Sequence, residues 1–122
     1  IDNIINDNGI DIYNNGNHSR SFTYIDDVIN SIYKLYEIYK ANDRFSEIYN
    51  IGGGESVKLN RFISIIENLC KKTTSKKYVS KQNGDVENTE ADCSKIFKKI
   101  NYKPNTDIEA GLNIFYSWYK DY

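Results

Sequence analysis

Methionine is missing from this 122-residue chain altogether, and proline, tryptophan and histidine occur once each. A chain that opens on Ile1 and has no methionine is not an unprocessed translation product. It is expected to be a piece of a longer protein, removal of an amino-terminal segment being the other route. No stretch approaches the roughly 18 apolar residues that a bilayer-spanning helix needs, and no secretory signal pattern is present. A cytosolic (cytoplasmic) protein with no membrane partner is therefore expected. Charge of one sign is lacking too: Lys+Arg 16 against Asp+Glu 17 leaves a net −1. That balance argues against nucleic acid as a partner, because phosphate backbones call for an excess of basic residues on one face. Cys70 and Cys93 are far apart and have no companion thiol or histidine, so they form no metal or redox motif; buried free thiols are expected rather than a disulfide.

What the chain does have is aromatic side chains. They make up 14% of residues, with eleven tyrosines, while total hydrophobic content is 39%, below the usual globular share. Residues 1–8 read as the tail of a helix closed by the Asn8-Gly9 turn. Ile10–Tyr13 alternates as a half-buried strand does, residues 14–19 form a turn-rich loop, and Phe22–Ile25 reads as a short strand. Asp26 is placed to cap a helix carrying Val28, Ile32, Leu35, Tyr36 and Tyr39 inward, ending near Ala41-Asn42-Asp43. Glu47–Ile51 is a compact strand stopped by Gly52-Gly53-Gly54. Leu59, Phe62, Ile63, Ile66 and Cys70 mark a second amphipathic helix, and residues 76–80 a strand. A short helix capped by Asp92 or Ser94 buries Ile96, Phe97 and Ile100. Pro104 interrupts the chain. The last helix opens with the capping box Thr106-x-x-Glu109 and buries Ile108, Leu112, Phe115 and Tyr119. The fold class expected is mixed α/β, helices alternating with short strands, over residues 1–122 as one unit. Its core is thin, so some apolar faces are expected to pack on partners outside the chain.

Few residues stand out as chemistry. Arg20, between a loop and a strand, can donate a fork of hydrogen bonds to a diphosphate, or be an ordinary surface arginine. In the turn Gln82-Asn83-Gly84-Asp85, Gly84 permits close backbone approach and Gln82 offers both donor and acceptor; a plain turn is the other reading. Tyr13 can stack on a flat heterocycle or belong to the strand core. The triple glycine matches neither G-x-G-x-x-G nor G-x-x-x-x-G-K-[ST] and reads as a turn. Asp26 and Asp27 are not an acid–base pair, since neighbours on a helix diverge by about 100°. His18 is alone in a polar loop, with a surface or substrate-edge role expected over metal ligation. Tyr36/Lys40 and Tyr116/Lys120 both have Tyr-x-x-x-Lys spacing. Eleven tyrosines and thirteen lysines supply about one such pair by chance, so neither is read as catalytic.

The segments Arg20-Ser21-Phe22-Thr23-Tyr24-Ile25-Asp26-Asp27 and 82–92, with Tyr49-Asn50-Ile51-Gly52 between them, resemble the substrate side of nucleotide-sugar epimerases and dehydratases. These are the extended short-chain dehydrogenase/reductase family, and the resemblance is closest to its UDP-glucuronate 4-epimerase branch. It implies the carboxy-terminal, substrate-binding portion of an extended Rossmann-type epimerase with most of the Rossmann core absent. It also implies contacts to a UDP-sugar from Arg20, Gln82, Asn83, Gly84 and Asp85, a uracil wall from Asp11, Ile12 and Tyr13, and Thr89 near the sugar ring. Most relatives have aspartate where this chain has Ser21. Glutamine at position 82 is common in the UDP-glucuronate branch, whereas galactose-type epimerases usually carry arginine. The parent would use NAD, bound by the missing amino-terminal part, to oxidise the sugar C4 hydroxyl and return hydride to the other face. It would serve polysaccharide biosynthesis and form a homodimer through that missing part. This piece, with no catalytic, cofactor-binding or metal residues of its own, is expected to be inert alone. A UDP-N-acetylglucosamine 4-epimerase, a 4,6-dehydratase, a non-catalytic nucleotide-binding remnant and a purely structural module are the alternatives.

Overall fold

A computed structural model describes residues 1–40 and 46–122. Five α-helices and five strands occur among them. Helix α1 is Asp2–Ile5 and strand β1 is Ile10–Tyr13, followed by a 3-10 turn over Asn14–Gly16 and β2 at Ser19–Ser21. Then come α2 (Ile25–Tyr39), β3 (Ser56–Lys58), α3 (Leu59–Cys70), β4 (Lys76–Val79), β5 (Asn88–Thr89), α4 (Ser94–Ile100) and α5 (Ile108–Asp121). The expected mixed α/β class holds.

The strands form two small sheets. In one, β1 runs parallel to β4, with Ile10 opposite Lys76 and Tyr13 opposite Val79. In the other, β2 lies between antiparallel β3 and parallel β5, with Arg20 opposite Val57 on one side and Thr89 on the other. Two connections cross from the first sheet to the second, residues 14–18 and residues 80–87. The charged groups of the candidate site are carried by those two crossings and by β2 between them.

The apolar interior is split as well. Ile4, Ile66 and Leu112 join α1, α3 and α5, with Phe62, Leu69 and Ile108 around them. Cys93, Ile96 and Ile100 form the second cluster, against Leu35, Tyr49, Ile51 and Tyr102. The inward faces of α3 and α4 are those the 3.6-residue period indicates. Both cysteines are free, Cys93 buried and Cys70 half-buried.

Several local expectations need correction. The strand lies at 19–21 rather than at Phe22–Ile25, because Phe22 leaves the ladder to stack on Phe62, ring centroids 4.5 Å apart. Glu47–Ile51 forms no strand: no other described strand lies beside it, and Ile48 is 88% exposed. Helix α2 starts one residue before Asp26, with Tyr24 as its cap residue, so Asp26 sits in the first turn rather than at the cap. The buried residues of α2 are Asp27 and Ser31, while Ile32 and Tyr36 face out with Ile25, Ile29 and Tyr33. The end expected near Ala41-Asn42-Asp43 lies outside the described residues; the helix is regular to Tyr39. At α5 the cap is Asp107, whose Oδ1 accepts the Ala110 amide at 2.7 Å, instead of Thr106. Thr106 is held elsewhere, its own amide donating to Asp27 Oδ2 at 3.1 Å. Phe115 is largely exposed.

Candidate functional site

Strand β2 is short but pinned on both edges, and that rigidity places Arg20. Upstream, Gly16 has φ +72°, and a methyl group on its α-carbon would lie 2.1 Å from Asn60 Oδ1, so the 14–16 turn sits directly on the first turn of α3. Asn60 Nδ2 also donates to the Asn15 carbonyl at 3.1 Å, and the Leu59 amide donates to the His18 carbonyl at 2.9 Å. The loop before β2 therefore enters the sheet in one register, with the His18 side chain turned inward and only 6% exposed.

The second crossing supplies the counter-charge. In the 82–85 turn the Asp85 amide donates to the Gln82 carbonyl at 3.2 Å, and Gly84 takes φ +85° with open space around its α-carbon. A left-handed residue with nothing beside it is a natural place for glycine. The turn delivers the Asp85 carboxylate to Arg20: Nη2 donates to Oδ1 at 3.0 Å. Arg20 Nη1 donates to the carbonyls of Ser19 (2.8 Å) and Glu87 (3.1 Å). The other carboxylate oxygen, Oδ2, lies 2.8 Å from His18 Nε2. That approach lacks the alignment of a hydrogen bond, because the imidazole nitrogen, buried, has no partner in line with it. Ser19 Oγ bonds Asn88 Oδ1, and the Ser19 amide donates to the Glu87 carbonyl at 2.8 Å. Glu87 is paired with Lys81 at 2.9 Å; its carboxyl is held below the ordinary value first by Lys81 and, further down, by positive charge on His18.

The sequence-predicted residues fall into two groups. Arg20, Asp85 and Thr89 are together: Asp85 grips the guanidinium, and exposed Thr89 stands opposite Arg20 in the ladder. Gln82, Asn83 and Gly84 form the exposed tip of the turn that carries Asp85. Asp11, Ile12 and Tyr13 lie on the other sheet. Ile12 has no exposed surface, Asp11 is exposed and Tyr13 half-buried, so of the three only Asp11 and Tyr13 present side-chain surface. His18, expected from the sequence at the surface or the substrate edge, is instead buried and lies against Asp85. A lone histidine among asparagines, glycine and serine gives no signal of burial; only the 3-10 turn and the α3 contact turn it inward.

Two clefts of about 310 and 320 Å³ lie along Phe22 and residues 106–108, one reaching Phe115 and the other Arg61. Neither is lined by Arg20 or Asp85. The charged cluster has donors that suit an anion, while the cleft reaching Phe115 is mainly apolar and the one reaching Arg61 also carries Glu55, Lys103 and Asp107.

Neither Tyr-x-x-x-Lys pair forms a base. Lys40 is paired with Glu37. Lys120 stands over the Tyr116 ring, 5.0 Å from its centroid, and burial raises the Tyr116 hydroxyl, the wrong direction for a phenolate base. No cluster of metal-ligating side chains is found among the described residues, and none of their helices is long and apolar enough to cross a membrane.

No protein-family model matches the chain. Among curated proteins it is similar to Protein CapI of Staphylococcus aureus, 38% identical over 98% of this chain and 40% of that protein. UDP-glucuronate 4-epimerase 6 of Arabidopsis thaliana is 35% identical, over 98% of this chain and 29% of that one. Among solved structures, UDP-glucuronic acid 4-epimerase from Bacillus cereus in complex with UDP-glucuronic acid and NAD superimposes with a TM-score of 0.84. It is 29% identical, and the match covers 98% of this chain and 37% of that one. The chain thus spans 40% or less of the length of these relatives.

Proposed function

The homologues of this chain are UDP-glucuronate 4-epimerases and related NAD-dependent epimerases and dehydratases, matched over their carboxy-terminal portion, and from that premise we propose that it is the substrate-side part of a UDP-sugar 4-epimerase. The UDP-glucuronate/UDP-galacturonate pair is the substrate this reading favours. The observation that carries it is the Arg20–Asp85 clamp. A guanidinium fixed by a carboxylate and two carbonyls still has a second Nη2 hydrogen and its Nε hydrogen, and its side chain is 35% exposed, so it can donate to the oxygens of a diphosphate.

In this reading Arg20 binds the diphosphate and the 82–84 turn closes over it, Gln82 and the backbone of Asn83 and Gly84 offering further donors. Asp85 orients Arg20 and accepts from the nucleotide, Tyr13 and Asp11 border the base, and Thr89 faces the sugar. Ile12 supports that wall from inside the core. The glycine triplet offers no dinucleotide loop, since it is packed against protein, a methyl on Gly53 falling 2.9 Å from the Pro104 ring. In this reading the dinucleotide site, the redox step and the dimer contact are supplied by the rest of the parent enzyme, and the chain alone is expected to be inert.

Calorimetry of the 122-residue chain with UDP-glucuronate tests the reading. Weak binding is expected, reduced at least about tenfold by Arg20→Ala, as loss of a charge-assisted pair would do. Equal binding by the wild type and Arg20→Ala would overturn it. Competition by UDP-N-acetylglucosamine at equal or higher affinity would move the substrate to that sugar.

A further inference from the structure

His18 plays no part in the reading above, yet it is the most buried charged or titratable side chain at the site. We propose that His18 is a positioning residue for the anion clamp: its imidazole, lodged against Asp85, sets how tightly that carboxylate holds Arg20.

The geometry gives Asp85 a guanidinium and an imidazole on different oxygens, Arg20 Nη2 at 3.0 Å on Oδ1 and His18 Nε2 at 2.8 Å on Oδ2. Charged groups are carried by each element around His18. Asp85 comes from the 82–85 turn, Arg20 from β2, and Glu87, with its partner Lys81, from the run into β5; Lys58 of β3 stands opposite Ser19. Arg20 and Asp85 cancel, as do Lys81 and Glu87. With Lys58 counted the cluster carries one positive charge, and the imidazole proton raises it to two. With the proton on, Asp85 divides its attraction between two cations, and the site gains one net positive charge for an incoming anion. With the proton off, Asp85 serves Arg20 alone and the guanidinium is held back. A buried nitrogen with no aligned acceptor leaves the imidazole dependent on its approach to Asp85.

The proposal deepens the diphosphate reading and rests on it only in its second measurement. The first needs no ligand. The chain has three arginines, so the Arg20 Nε–H signal in a nitrogen–proton NMR spectrum is assignable by its loss in Arg20→Lys. Between about pH 5.5 and 8, where imidazoles titrate, the Arg20 signal should move with the midpoint of the His18 ring. It should stay still in His18→Gln, and in Asp85→Asn it should no longer follow the ring. If His18→Gln does not fold, Asp85→Asn decides. An Arg20 signal that ignores the His18 titration in the wild type, or one that follows the same midpoint in Asp85→Asn, would overturn the proposal.

The second measurement is affinity for UDP-glucose, whose two diester phosphates stay ionised across this range. It should be about three- to tenfold tighter at the acid end in the wild type, the effect of one added nearby charge, and pH-independent in His18→Gln. Binding that is equal at both ends in the wild type contradicts the coupling. Should UDP-glucose not bind at any pH, the diphosphate reading fails, while the ligand-free titration still decides the role of His18.

Discussion

Replacing Asp27 with asparagine removes one charge and changes almost no volume, which makes it a clean probe of the junction between α2 and α5. Asp27 is 3% exposed on the inner face of α2. Its Oδ1 accepts the Tyr102 hydroxyl at 2.6 Å and its Oδ2 the Thr106 amide at 3.1 Å. Burial pushes its carboxyl up, but the hydrogen bonds from Tyr102, Thr106 and the Asn105 amide together outweigh burial and hold it below the ordinary value. Bonds to a charged acceptor contribute about 1.5–3 kcal/mol each, against about 0.5–1.5 for neutral ones. An asparagine keeps one acceptor and presents an amide where a donor already points. Asp27→Asn should therefore cost about 2 kcal/mol and lower Tm by roughly 5–10 °C for a chain this size. Asp27→Ala, which strands the Tyr102 hydroxyl and two amides, should cost about 3–4 kcal/mol.

The sign of the pH dependence follows. A carboxyl depressed in the folded state stabilises fully above its unfolded value, about 3.9, and that advantage disappears as pH falls through the folded value. Urea unfolding of wild type and Asp27→Asn should thus differ by the full amount at pH about 6, and the gap should shrink as pH falls below the unfolded value and through the folded one. A loss under about 0.5 kcal/mol at neutral pH, or a gap that widens in acid, would refute the role assigned to Asp27.

Other outcomes follow from single contacts. Glu67, buried against Lys76 (2.7 Å) and the Thr74 amide (3.0 Å), should cost about 2–3 kcal/mol in urea unfolding when changed to alanine, since Lys76 and that amide lose their acceptor. Gly16→Ala should lose about 1–3 kcal/mol by the same assay, because the turn needs φ +72° and Asn60 can yield only by releasing the Asn15 carbonyl. Gly84→Ala, with open space around it, should lose about 1 kcal/mol or less. Burial and the neighbouring Asp92 push the Cys93 thiol up, so a disulfide thiol reagent should titrate Cys70 quickly in the native chain and Cys93 only after urea.

Much of this fold was legible wherever an element buries its own face. The α3 pattern Phe62, Ile63, Ile66 and the α4 pair Ile96 and Ile100 need no more than the 3.6-residue period, and both match. The failures share a cause. At α2 the apolar positions Ile25, Ile29, Ile32, Tyr33 and Tyr36 are exposed, and at residues 47–51 a strand-like sequence pairs with no described strand. Hydrophobic pattern reports which surface is meant to be covered, not whether its cover lies in the same chain. The thin core read from composition and the exposed α2 stripe are two views of one fact. At caps, chemistry was read correctly and assigned to a neighbour: Thr106 is a good cap residue, but a tertiary bond to Asp27 had already taken its backbone. Of the site, Arg20 and the Gly84 turn were visible through the resemblance, and Asp85 with them. The approach of His18 to Asp85 was not, because it depends on two crossings meeting between sheets.

Whether the Arg20–Asp85 face is the nucleotide-sugar site is decided by a UDP-glucuronate titration of the isotopically labelled 122-residue chain, followed by amide and arginine NMR shifts. The shifts should gather on residues 18–20, 82–89 and 11–13, with the Arg20 side chain moving most, and should disappear in Arg20→Ala. Shifts concentrated instead in the apolar cleft of Phe22, Ile108 and Phe115, or none at saturating ligand, would contradict that assignment.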